Sequence, residues 1–230
     1  MRVKQLGRVA VTVAAFALLV LVGTLIGSPR VRADDDREES KIRQGFEIAP
    51  VKLNLNGKDR DLVGLGSYIV NAQADCNGCH TQSAMTEFTP SGNPYLLHPI
   101  FDGKKKINPA TYLGGGMDFG NFGAGSDIIS RNLTPDKTGR PEGGHTFSEF
   151  LEIIRTGVDM DHLHPNTCSA TVTTNCLPFP FNGALLQIMP WPTFQDMSNH
   201  DLRAIYEYLS AVPCVEGPED PNDPLHNNCR

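Results

Sequence analysis

Residues 76–80 read CNGCH, two thiols three positions apart with an imidazole directly after the second. Such a set can hold zinc, shuttle electrons as a dithiol, or bind haem covalently. A structural zinc site needs four ligands, usually from a second Cys-x-x-Cys pair or two suitably spaced His. Here the next close pair, Cys168 and Cys176, is spaced eight apart. A thioredoxin-like dithiol expects a preceding strand inside a βαβ unit. This pair follows a helical pattern, and no βαβ alternation occurs along the chain. Covalent haem uses every position of the motif: the thiols add to the two vinyl groups, and the adjacent imidazole reaches the iron from the same turn. With six Cys and seven His in 230 residues, chance would give the pattern roughly once in two hundred such chains. Haem c attached through Cys76 and Cys79, with His80 on the iron, is therefore the expected cofactor.

A haem iron then has a sixth position to fill. A thioether there raises the reduction potential and closes the iron to substrates, which makes an electron carrier; an open or His-ligated iron suits gas sensing or peroxidase-like chemistry.

Three helical patterns would have to position such a group. From Asp59 to about Ala74, Leu62, Leu65, Tyr68, Ile69 and Ala72 recur at spacings of three and four, and the run leads straight into the motif. Thr146 to Gly157 carries its own punctuation, a T-x-x-E capping box at Thr146 and Glu149 and a terminating glycine, with Phe147, Phe150, Leu151 and Ile154 on one face. A third helix begins at Ser198, exposes the stripe Leu202, Ile205, Tyr206, Leu209 and Val212, and stops at Pro213. Val51, Leu53 and Leu55 alternate as a short extended segment. Residues 81–145 lack periodicity and include GGGMDFGNFGAG, a long loop of the kind that covers a ligand. The Lys104–Lys106 triplet reads as a solvated turn. With 22 Gly and 17 Pro and 40% hydrophobic residues, the expected fold is mainly α, a small helical haem domain with long Gly/Pro-rich loops.

The chain opens with Arg2, Lys4 and Arg8, the uncharged run Val9–Gly27, and a small-residue site before Asp34. Residues 1–33 are expected to be a signal peptide or an uncleaved N-terminal anchor. In either case the rest is exported, to the periplasm or the exported face of the cytoplasmic membrane. Residues 1–33 hold five of the 20 Lys+Arg and no acid, so the remainder has 15 basic against 26 acidic residues, a net −11. Nucleic acid and anionic lipid are poor partners for such a charge. The membrane is expected to be met only through the N-terminal run. Export also favours disulfides, with Cys168–Cys176 and Cys214–Cys229 closing the shortest loops. The expected organisation is a charged, flexible lead-in over 34–57, a cytochrome c domain over 58–213 and an acidic, Pro-rich tail over 214–230.

GSYIV…CNGCH, RNLTPD, TFSEFLEIIRTGVD and IMPWPTF…MSNHDLRAIYEYL together resemble class I c-type cytochromes. They are most similar to the cytochrome c subunits of membrane-associated alcohol and gluconate dehydrogenases. The resemblance covers about residues 62–211. It implies that Met189, followed by Pro190 and an aromatic, is the sixth ligand, with Trp191 walling the haem. Met85, Met117, Met160 and Met197 lack the following proline; His162 and His164 are the polar competitors. It also implies that Arg131, Asn132 and Thr134 pass the haem propionates, and that the helix before the motif crosses the C-terminal helix with Gly66 against Tyr208 and Leu209. Multihaem members of that subunit family carry three haem motifs; this chain carries one. About thirty residues separate Asp159 from Met189, longer than the family's usual connection, with Cys168 and Cys176 inside.

The expected function is single-electron transfer between a dehydrogenase donor and a downstream acceptor, with no bond made in a substrate and hence no enzymatic activity of its own. The alternative is a haem protein whose sixth site is open or labile.

Overall fold

The computed structural model describes residues 29–120, 127–161, 176–177, 179–220 and 223–230. The chain forms two units, one ending at Ser40 and one spanning Lys41–Arg230. Val9–Gly27 lies outside the described residues, among which no helix is long and apolar enough to cross a membrane.

The described part of the first unit is helical and belongs to α1, Pro29–Ile48, which continues into the second. Within the charged lead-in expected over 34–57, the stretch to Ile48 is therefore helical, although no apolar periodicity announced it. The part after Ser40 is held by packing: Ile42 and Phe46 lie against the core, and the Gly45 carbonyl accepts a 2.6 Å hydrogen bond from Ser67. A Cβ on Gly45 would stand 1.9 Å from the Gly64 carbonyl oxygen, so two glycines let the backbones approach where side chains would not fit. The segment after α1 is extended as read, with Val51, Leu53 and Leu55 half-buried and the residues between them exposed. Asn54 N–H donates to the Ala211 carbonyl at 2.8 Å.

α2, Arg60–Tyr68, is capped by Asp59, whose carboxylate accepts from the Asp61 and Leu62 amides. The helix does not continue as α. Ile69–Gln73 is a π-turn, closed by Ala74 N–H donating to the Ile69 carbonyl at 2.8 Å. The wider turn shifts the apolar face, so Val70 is buried and Ala72, assigned to the stripe by a constant 3.6 period, is exposed. A single turn, α3 (Cys76–Cys79), follows.

α4, Phe147–Thr156, has both bonds of the Thr146/Glu149 capping box and ends at Gly157 with φ +71°. After a short α5, Trp191–Phe194, Ser198 caps α6, Asn199–Leu209, by accepting from the Asp201 amide. α2 crosses α6 through Gly66, where a Cβ would lie 1.9 Å from the Ala204 carbonyl oxygen and 2.7 Å from Tyr208 Cβ. Leu65, Ile69, Phe150, Ile154, Leu202, Ile205 and Leu209 are buried in the shared core. Among the described residues the fold is mainly α; extended segments meet only as isolated bridges, such as Asp118 with Ile129.

Candidate functional site

The π-turn delivers the chain to Asp75, which takes a left-handed conformation at φ +48° and starts α3. A buried hydroxyl network braces that turn. Tyr112 donates to Asn71 Oδ1 at 2.5 Å, the Tyr112 and Tyr208 hydroxyls lie 2.7 Å apart, and Asn71 Nδ2 donates to Tyr208 at 3.1 Å. Asn77, between the two cysteines and buried, accepts the Leu113 amide at 2.9 Å.

His80 Nδ1 lies 2.8 Å from the Arg131 carbonyl oxygen. A carbonyl can only accept, so Nδ1 carries the proton and Nε2 presents its lone pair. Burial lowers the His80 pKa, with the Arg131 carbonyl opposing the shift, which favours the neutral ring that a ligand needs. This is the arrangement that orients a metal-binding imidazole.

Cys76, Cys79, His80 and Met189 line one cavity, with Ile128, Leu133, Phe150, Ile154, Leu202 and Ile205 among its apolar walls. Its empty space is about 1260 Å³ including the part open to solvent. The glycine-rich run and the stretch that follows it supply another wall through Phe119 and Ile128–Arg131. Its backbone doubles back, Phe119 N–H donating to the Ile128 carbonyl at 2.9 Å. Residues 121–126 lie outside the described residues.

Met189 is presented by strained backbone. Its N–H donates to the Gln187 carbonyl at 2.7 Å around Ile188, whose φ is +65°. A β-branched residue in that region is a genuine outlier, and a turn of this sense is rare and strained. Trp191 N–H then donates to the Met189 carbonyl at 2.8 Å, with Pro190 at φ −77°, ψ 42° in the relaxed form of the same turn. Strain of this kind persists only where the surroundings over-determine the conformation. Met197 also lines the cavity. Its carbonyl is tied to Arg155, which donates at 2.7 Å and also reaches Gln195 and Asn199. Met85 is largely exposed, and neither Met117 nor Met160 lines the cavity. His162, His164 and Cys168 lie outside the described residues; Cys176 is buried and disulfide-bonded.

Three expected contacts are placed differently. Asn132 and Thr134 do not line the cavity; they anchor the tail. Asn132 donates to the Val215 carbonyl at 2.9 Å and accepts from Thr134, while Thr134 Oγ1 accepts the Val215 amide and Asn227, each at 3.0 Å. Trp191 is not on the cavity wall either. Its indole donates to the Leu186 carbonyl at 3.2 Å and occupies the space beside Gly157, where a Cβ would meet the ring at 2.2 Å. Arg131 does reach the cavity, its guanidinium donating to Asp159 at 2.6 Å and pairing with Asp161. Local sequence gave no sign of the Asp159, Asp161, Asn71 or Tyr112 roles, because each partner lies 28 or more residues away.

Burial, reinforced by Asp75, pushes the Cys76 thiol up to about 12, and burial with Asp75 and Glu87 raises that of Cys79. Redox-active dithiols lower a thiol pKa instead. For zinc, no group of three or more His, Cys, Asp or Glu among the described residues is arranged to hold a metal ion. The donor set, the apolar walls and the neutral, oriented imidazole fit a covalently attached haem.

The cytochrome c subunits of quinone alcohol dehydrogenases from Gluconacetobacter polyoxogenes and Komagataeibacter europaeus are each 26% identical over 166 residues, covering 72% of this chain. That of Gluconobacter oxydans is 26% identical over 187 residues, covering 76%. The chain is cytochrome c-like. It spans about a quarter of the length of these relatives, 25–28%. No family model matches it.

Proposed function

We propose that the chain is an exported or periplasmic carrier of single electrons between a dehydrogenase and a downstream acceptor. It would hold one haem c through Cys76 and Cys79, with His80 Nε2 and Met189 Sδ available to the iron. The observation that carries this is the convergence of both thiols, His80 and a methionine on one apolar-walled cavity. The relatives' naming as cytochrome c subunits of a dehydrogenase supports the choice of donor.

When bound, the haem supplies a one-electron couple whose potential a thioether ligand raises. The rest falls to the chain. The Arg131 carbonyl fixes the His80 tautomer, and the turns at Ile188 and Pro190 fix Met189. The Ile and Leu walls make the greater part of the cavity lining apolar. Arg131, with Asp159 and Asp161, sets the charge at its rim.

Covalent attachment is tested by haem-stained denaturing electrophoresis and intact mass of the purified holoprotein. The expected result is one haem per chain, retained after unfolding and lost in C76S/C79S. Haem that washes out under denaturant would overturn the attachment. Absence of a reversible one-electron wave would overturn the carrier.

A further inference from the structure

Residues 91–106 leave the body of the domain and return to it. The neck is closed by Asp102 N–H to the Ser91 carbonyl at 2.9 Å and Lys106 N–H to the Gly92 carbonyl at 3.0 Å. Buried Gly92 makes this possible, since a Cβ there would stand 2.3 Å from Lys106 Cβ. The tip has order of its own: the buried Asn93 side chain accepts the Tyr95 amide at 3.0 Å, and Ile100 N–H donates to the Leu97 carbonyl at 2.9 Å. Yet three of its large side chains stand mostly in water, with Tyr95 83%, Leu97 84% and Ile100 55% exposed, Tyr95 keeping an edge contact with Phe88. Behind this tip, at the neck, stand Lys104, Lys105 and Lys106, all exposed.

An ordered loop that holds an aromatic and two large aliphatics in solvent spends hydrophobic free energy unless something covers them. The lysines indicate what. Lysine is depleted from protein–protein interfaces, whereas a lysine collar behind an aromatic–aliphatic tip suits lipid. The tip enters the boundary between headgroups and acyl chains, tyrosine sits at the polar level, and the ammonium groups meet phosphates. Asp102 pairs with Lys106, and Glu87 faces Lys105 from the foot of the loop. The segment 91–106 still carries three lysines and one aspartate, a net +2, in a chain whose residues 34–230 are net −11.

We propose that residues 93–106 are a membrane-surface docking loop that inserts Tyr95, Leu97 and Ile100 into an anionic phospholipid interface through the Lys104–Lys106 collar. This departs from the whole-chain charge argument, because contact with a surface is decided by the local patch within a Debye length of it. It does not depend on what the cavity holds.

The test uses the full-length holoprotein in nanodiscs of phosphatidylcholine alone or with roughly one third phosphatidylglycerol, so that the N-terminal run is accommodated equally in both. Amide hydrogen exchange is read over 93–106. Docking predicts exchange slowed about tenfold on the anionic discs relative to the zwitterionic ones, in keeping with the pull of a few lysines near such a surface. The variants Y95S/L97S/I100S and K104Q/K105Q/K106Q should each abolish the slowing while leaving α2 and α6 protected as in the parent. Equal exchange on both lipids would overturn the proposal. So would protection that appears only on adding a dehydrogenase, or that grows with protein concentration without lipid; these would assign the loop to a protein partner or to a second copy.

Discussion

At the scale of single residues, two methionines reach the cavity and only one is held in a strained turn. If Met189 is the sixth ligand, the resemblance to class I cytochromes implies a weak far-red sulfur-to-iron band in the oxidised holoprotein; M189A opens the iron, so that band disappears and the reduced protein binds carbon monoxide. M197A should keep the band and reject carbon monoxide, losing about 2 kcal/mol from the vacated space; urea unfolding and the two spectra check both. Tyr112 gives a pH-dependent prediction. Burial first, then the neighbouring Tyr208, holds its phenol well above the ordinary 10. The native state therefore keeps a proton that the unfolded chain gives up, so this stabilisation is complete below about pH 10 and falls as pH rises beyond it. Y112F should lower stability by about 1–3 kcal/mol at neutral pH, since it leaves Asn71 Oδ1 without its donor. It should also flatten the decline between pH 9 and 11, measured by urea unfolding at each pH.

At the scale of elements, caps and close approaches can be tested one by one. T146A removes the Oγ1 acceptor that caps the Glu149 amide, while the backbone N–H of residue 146 still donates to the Glu149 carboxylate, and should cost about 1 kcal/mol, seen as a lower urea midpoint at unchanged slope. G66A forces a Cβ into the α6 backbone at Ala204, which cannot yield as a flexible side chain would. A loss of at least about 3 kcal/mol is expected, with a matching fall in folded yield. These elements were also the most legible in the sequence. Apolar periodicity with Thr146, Gly157 and Ser198 placed α4 and α6 from local signals alone. The π-turn was not legible, because a constant period cannot register one extra residue, and Ala72 went to the wrong face. The packed end of α1 was missed because its apolar signal is only Ile42 and Phe46 around Gly45; what secures it, Gly64 and Ser67, lies about twenty residues on. In the site, the motif Cys76–His80 could be read from residue types and spacing, whereas Met189 came from a family resemblance. The tail partners of Asn132 and Thr134 were not legible, because a polar pair looks the same whether its partner is a ligand or a tail more than eighty residues later.

At the scale of the whole molecule, the C-terminal tail is closed on itself by Cys214–Cys229 and by buried Asn227, which donates to the Val215 carbonyl and also holds the tail to the domain through Thr134 and the Pro135 carbonyl. Closing a loop of 15 residues is worth about 3 kcal/mol. C214S/C229S should lose about that much in urea unfolding, and its Asn227 side-chain amide should exchange faster. The tail also grips the loop whose Arg131 carbonyl orients His80, so the same variant tests whether distant packing reaches the imidazole. The central claim is that His80 and Met189 close one covalently held haem. The most direct measurement is the visible spectrum of the reduced, purified holoprotein before and after carbon monoxide. An unchanged spectrum is predicted, because both axial positions are filled. A shift on adding carbon monoxide would contradict that closure and turn the protein into one that binds gas or peroxide at an open iron.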